Sequence, residues 1–171
     1  MTILDYSPRT LFLALFMGCV ALLATALYLQ HATGLEPCPM CIMQRYVFIA
    51  IAAVALIATL HGPARRGSVV YGGLVTLLAL VGAGVAAQQS RIQLQPPSLA
   101  ECGPGVEYMV NTFGLSEALP MMFRGAGDCA SSDWTLLGLT LANWSLLTLL
   151  AIAIYGGLVV WRGGRRSAVF N

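Results

Sequence analysis

The chain has 171 residues, of which 58% are hydrophobic and only 9% charged, with a mean hydropathy of +0.78 and a net charge of +2. Soluble domains carry about 25% charged residues, so this composition excludes a water-exposed globule and points to lipid. It also excludes a nucleic-acid binder, because there is no Lys and the Arg residues are scattered rather than gathered in a stripe.

A helix needs roughly 20 apolar residues to cross a hydrocarbon core of about 30 Å. The first stretch that qualifies runs over about 10–30, Thr10 to Gln30. A signal peptide or a lipoprotein site at Gly18-Cys19 is the competing reading. The residues before Cys19 (Leu15, Phe16, Met17, Gly18) lack the small side chains of a cleavage site, and the apolar run continues past it. The segment is therefore predicted as a true span, with Cys19 a buried thiol packing like a small hydrophobe.

A short loop over about 31–41 follows, ending in Cys38-Pro39-Met40-Cys41, a C-x-x-C pattern. The second span covers about 42–60 and starts at once, which puts Cys41 at or near a helix N-terminus. Unsatisfied N–H groups and the positive end of the helix dipole favour an anion there, and thiols so placed drop from about 8.5 to between roughly 3.5 and 7.5. Arg45 follows four residues later, on the same helical face. By position it either holds a thiolate or an anionic redox partner next to Cys41, or snorkels to the headgroups.

The third span covers about 69–87 and the fourth about 144–161, the latter bounded by Trp144 and Trp161 at the level where aromatic rings collect. Gly82, Gly84, Gly156 and Gly157 are predicted to admit close helix approach. Between these spans lies a long loop over about 88–143. In it, Leu115 to Phe123 reads as a short segment on the membrane surface, or alternatively as a partner-docking site.

Orientation follows from the arginines. Arg9, Arg65, Arg66, Arg162, Arg165 and Arg166 fall at the termini and the short middle loop, whereas Arg45, Arg91 and Arg124 fall on the other side with all the acidic residues except Asp5. The positive-inside rule then predicts cytoplasmic termini, with the first and third loops outside. The four loop cysteines, Cys38, Cys41, Cys102 and Cys129, share that outer face, because two crossings separate Cys41 from Cys102. If the face is oxidising, disulfides persist there. Zinc would need two further ligands at similar spacing, and His31 is the only outer histidine, so no metal site is expected. Cys102 and Cys129 lie among Gly and Pro residues and read either as a structural staple or as an exchangeable shuttle disulfide.

At this point the chain resembles a known family, disulfide bond formation protein B, the DsbB-type quinone reductases. The resemblance rests on Cys38-Pro39-Met40-Cys41-Ile42-Met43-Gln44-Arg45, on Gly127-Asp128-Cys129, and on Trp134, Leu137-Gly138 and Trp144 leading into the last span. With the four spans and two outer cysteine pairs, it covers essentially the whole chain. It implies an all-α integral membrane fold, a single four-helix bundle with two periplasmic loops in a bacterial inner membrane. It also implies a protein dithiol:quinone oxidoreductase, with redox disulfides Cys38–Cys41 and Cys102–Cys129.

In that scheme Cys102 is attacked by a reduced thioredoxin-fold partner of the periplasm (DsbA-like). Cys129 then attacks Cys38, and Cys41 becomes the thiolate facing the quinone, with Arg45 as its electrostatic anchor. The acceptor implied is ubiquinone, with menaquinone as the alternative. Some family members carry a histidine near the outer end of the third span, associated with the quinone pocket. Gln89 stands at its counterpart here and can donate a hydrogen bond but not carry a proton's charge. Residue by residue, Gln89 also fits a satisfied interfacial amide, and Trp134 and Trp144 fit interface anchors. Other readings weighed are a transmembrane thiol-reducing carrier, a relative of the vitamin K epoxide reductase type, and a disulfide-stapled structural or channel-like subunit.

Overall fold

The computed structural model describes residues 7–33, 38–94, 111–112, 114 and 135–168. Four helices dominate: α1 (Pro8–Thr33), α2 (Pro39–His61), α3 (Arg65–Leu94) and α4 (Leu141–Ala168). Even the shortest, with 23 residues, extends about 34 Å at 1.5 Å per residue, enough to cross a bilayer core. All four are long and apolar enough to span a membrane.

Each helix runs beyond the apolar window read from sequence. Proline at the first helical position begins α1 and α2, where its missing N–H is no loss. The α2 helix ends at Gly62, whose φ of 58° is a left-handed conformation cheap only for glycine. Its N–H closes on the Ala58 carbonyl at 3.0 Å.

Before α4 the chain makes a two-residue hairpin, β1 (Thr135–Leu136) and β2 (Leu139–Thr140), paired antiparallel. Its turn, Leu137-Gly138, has positive φ at both positions (55° and 77°), as the tight hairpin connection demands. Thr140 then caps α4, its Oγ1 accepting the Asn143 N–H at 3.4 Å.

The helices run alternately up and down, as contacts between their ends show. Arg9 at the start of α1 donates to the Thr59 and Leu60 carbonyls at the end of α2. At the opposite end of the bundle, the last turn of α1 meets the second turn of α2 through Arg45 and Gln30. Ser90 of α3 meets Asn143 of α4 there too. The last turns of α1 and α3 and the starts of α2 and α4 therefore share one end of the bundle.

Small residues set the tightest contact, between α3 and α4. A side chain at Gly156 would begin 3.0 Å from the Gly72 carbonyl oxygen, and one at Gly72 would begin 3.2 Å from that of Gly156. Gly82 likewise leaves room for Val47 and Leu149. Gly84 and Gly157, expected to do the same, face open space and contribute no close approach. The core holds Ile51, Val75, Ala79, Leu149 and Cys19, all essentially inaccessible, so Cys19 is placed as the buried thiol expected. Large apolar side chains such as Met17, Leu77 and Ile154 point outward, the arrangement required where the solvent is lipid.

Candidate redox site

The site is assembled where α2 begins. Cys38 occupies the N-cap with extended backbone (φ −65°, ψ 160°), Pro39 fixes the first helical φ, and Cys41 completes the first turn. This places both sulfurs on one side of the turn. The Cys38 Sγ accepts the Cys41 N–H at 3.3 Å and lies 2.9 Å from the Cys41 Sγ, the two forming a dithiol rather than a disulfide. A disulfide bond is about 2.05 Å long, so the pair closes with a sulfur displacement of only about 0.9 Å. Cys38 is buried, whereas Cys41 is partly open.

The amide of Gln89, near the outer end of α3, reaches across to this pair. Its Nε2 donates to the Cys38 Sγ at 3.3 Å and to the Cys41 Sγ at 3.2 Å. Its Oε1 accepts from the Gln44 Nε2 at 2.7 Å, and both glutamines are buried. Arg45 is held by a 2.6 Å hydrogen bond from its Nη1 to the Gln30 Oε1. The described residues include no carboxylate side chain, so the formal charge that Arg45 brings is not neutralised by an acidic neighbour among them. Together with the helix N-terminus it favours an anion at this end of the bundle.

Beside the sulfurs, a cavity of about 290 Å³ opens between α1, α2 and α4. Leu22 and Phe48 are among its apolar walls, Trp144 contributes an aromatic wall, and Cys41, Gln44 and Arg45 supply its polar groups. An apolar slot with few convergent polar groups is the usual form of a small-molecule site, though this one is at the small end of the size range. It suits a planar ring with polar oxygens: the walls are mostly apolar, Arg45 and the Gln44 amide offer hydrogen bonds to oxygen, and the Cys41 sulfur forms part of the wall.

Of the residues singled out from sequence, Cys38, Cys41, Arg45 and Gln89 come together here. Gln89, expected at the quinone pocket, has its amide on the sulfurs and is absent from the cavity wall. Trp144, read as an interface anchor, lines the cavity. Cys102, Cys129, Trp134 and the Leu115 to Phe123 segment lie outside the described residues. Sequence reasoning missed Gln44 and Gln30. Gln44 had a signal: it is three residues after Cys41, hence next to it on the helix surface. Gln30 had none, because its partner lies on another helix. Among the described residues no group of three or more His, Cys, Asp or Glu is gathered to hold a metal.

Fold and site together define a class: a four-helix membrane protein with a dithiol at one helix start, opening onto an apolar cleft. Comparison with known proteins narrows this. Residues 8–159 match the family model described as disulfide bond formation protein DsbB. The chain is 57% identical over 157 residues to "Disulfide bond formation protein B" of Aromatoleum aromaticum, covering 92% of this chain and 95% of that one. It is 58% identical over 161 residues to the protein of the same name from Azoarcus sp., covering 94% and 95%. Against that of Methylococcus capsulatus it is 44% identical over 160 residues, covering 93% and 98%. The chain belongs to the DsbB family.

Proposed function

We propose that the protein is a dithiol:quinone oxidoreductase of a bacterial inner membrane, supporting disulfide formation in periplasmic proteins. The observation that carries this reading is the wall shared by the dithiol and the apolar cleft: Cys41 belongs to both.

Electrons enter from a reduced thioredoxin-fold protein, DsbA-like, whose thiolate attacks Cys102 of the Cys102–Cys129 disulfide. Cys129 leaves as thiolate and attacks Cys38 of the Cys38–Cys41 disulfide, releasing Cys41 as thiolate. The partner's second thiol frees Cys102, which reforms its bond with Cys129 and leaves Cys38 and Cys41 as a dithiol. Each exchange makes one S–S bond and breaks one, so the partner's two electrons and two protons end on the Cys38–Cys41 pair. Closing that pair again needs an acceptor of two electrons and two protons, the chemistry that a membrane quinone supplies.

This chain's residues prepare the transfer. The first turn of α2 and Arg45 favour the anionic sulfur, and Arg45 and Gln44 are the groups that would hold ring oxygens. The walls are mostly apolar, and the 2.9 Å sulfur separation makes bond closure short. Ubiquinone is the acceptor the family resemblance supports, with menaquinone as the alternative. The arginine distribution supports an outward, periplasmic site with both termini in the cytoplasm.

The test is quinol formation by the purified protein with a reduced periplasmic thiol protein as donor. Turnover is expected from wild type, and none with the protein donor once Cys102 and Cys129 are both serine. Full turnover in that double variant would refute the shuttle.

A further inference from the structure

Gln44 and Gln89 are two of the three buried polar residues among those described, at 4% and 2% exposure; the third, Ser68, belongs to the other end of the bundle. A primary amide is costly to bury unless both its ends are paired. Here the pairing is directional. One end of Gln89 is divided between two sulfurs and the other is taken by Gln44, which itself lines the cavity. A continuous chain therefore runs from the cavity through Gln44 and Gln89 to the dithiol, built from two helices and carrying no formal charge.

Taking the dithiol–quinone reading as its basis, we propose that Gln89 is a catalytic residue, an uncharged clamp that stabilises the sulfur anion of the Cys38–Cys41 pair and is kept amino end forward by Gln44. An anionic sulfur accepts hydrogen bonds and repels carbonyl oxygen, so only the amino end of the amide serves it. Gln44 enforces that choice, because its N–H already occupies the Gln89 oxygen at 2.7 Å. With one N–H per sulfur, Gln89 also holds the two atoms that must bond side by side.

When the pair closes, one S–S bond forms, the sulfur-bound protons leave, and two electrons pass to the quinone. Gln89 contributes neither electron nor proton, since an amide does not titrate in this range. It acts by lowering the energy of the charged state through a charge-assisted hydrogen bond. A carboxylate at this position would oppose the anion, and an imidazole would add a second titration.

The experiment measures alkylation of Cys41 in the reduced, detergent-solubilised full-length protein, by peptide mass mapping at pH 7 and pH 10. Neither quinone nor protein partner is present, so the clamp and the proposed overall reaction stand or fall separately. Gln89→Met keeps the volume and removes the donor. It is expected to slow Cys41 alkylation about tenfold at pH 7, a hydrogen bond to a charged group being worth at least that factor. At pH 10 the difference should vanish, because an ordinary thiol ionises unaided there. Gln89→Glu should be slower still at pH 7, and Gln44→Met should show a smaller loss with the same pH pattern. Should Gln89→Met fail to insert, Gln44→Met carries the same comparison with Gln89 in place. Wild-type alkylation rates at pH 7 in these variants, or an equal loss at both pH values, would overturn the clamp.

Discussion

The first turns of α1 and α2 lie at opposite ends of the bundle yet are built on one plan. In α1, Ser7 precedes Pro8 and its Oγ accepts the Thr10 N–H at 3.4 Å. In α2, Cys38 precedes Pro39 and its Sγ accepts the Cys41 N–H at 3.3 Å. Both are N-caps followed by proline at the first helical position. The difference is one atom type plus surroundings. The Ser7 hydroxyl is exposed and turns also to Thr10, whereas the Cys38 sulfur is buried against Cys41 and Gln89. A capping geometry that elsewhere only finishes a helix becomes, with sulfur, a means of holding two thiols at bonding reach beside a dipole that favours their anion.

The comparison can be broken most severely with Cys38→Ser. Serine is the better cap, so α2 should fold unchanged by circular dichroism, while quinol formation falls to background because no S–S bond can close. Survival of turnover would mean that the first turn of α2 is only structural. A smaller effect is expected from Arg45→Ala, which removes the cation but leaves both sulfurs. The KM for quinone should rise about tenfold, in line with one charge-assisted hydrogen bond, with less change in exchange with the protein donor. The smallest is Ser7→Ala, which should cost about 1 kcal/mol in thermal unfolding and leave quinol formation at the wild-type rate.

Much of this was legible in the amino-acid sequence, for reasons that differ by element. The four helices follow from hydropathy and length, because a bilayer leaves the backbone few alternatives. Cys41 at a helix start follows from the abrupt beginning of the apolar run directly after it. What escaped depended on contacts across helices. Gln44 reads locally as one more polar residue at a membrane boundary, and its meaning lies in Gln89, 45 positions away on α3. Gln89 was visible as a position but not as a sulfur ligand. Gly82 and Gly156 are close-packed while Gly84 and Gly157 are not, a distinction set by which helix face meets a neighbour. The Cys102 and Cys129 pair is carried by family resemblance and chemistry, since both lie outside the described residues.

The central claim is that the cavity beside Cys41 receives the electron acceptor, and it is tested most directly by filling that cavity. Ala26 of α1 lines it and lies on a different helix from Cys38 and Cys41. Ala26→Trp should abolish or strongly depress quinol formation while single-turnover exchange between the protein donor and the Cys38–Cys41 disulfide proceeds at the wild-type rate. Wild-type quinol formation in a folded Ala26→Trp protein would place the acceptor elsewhere and contradict the account.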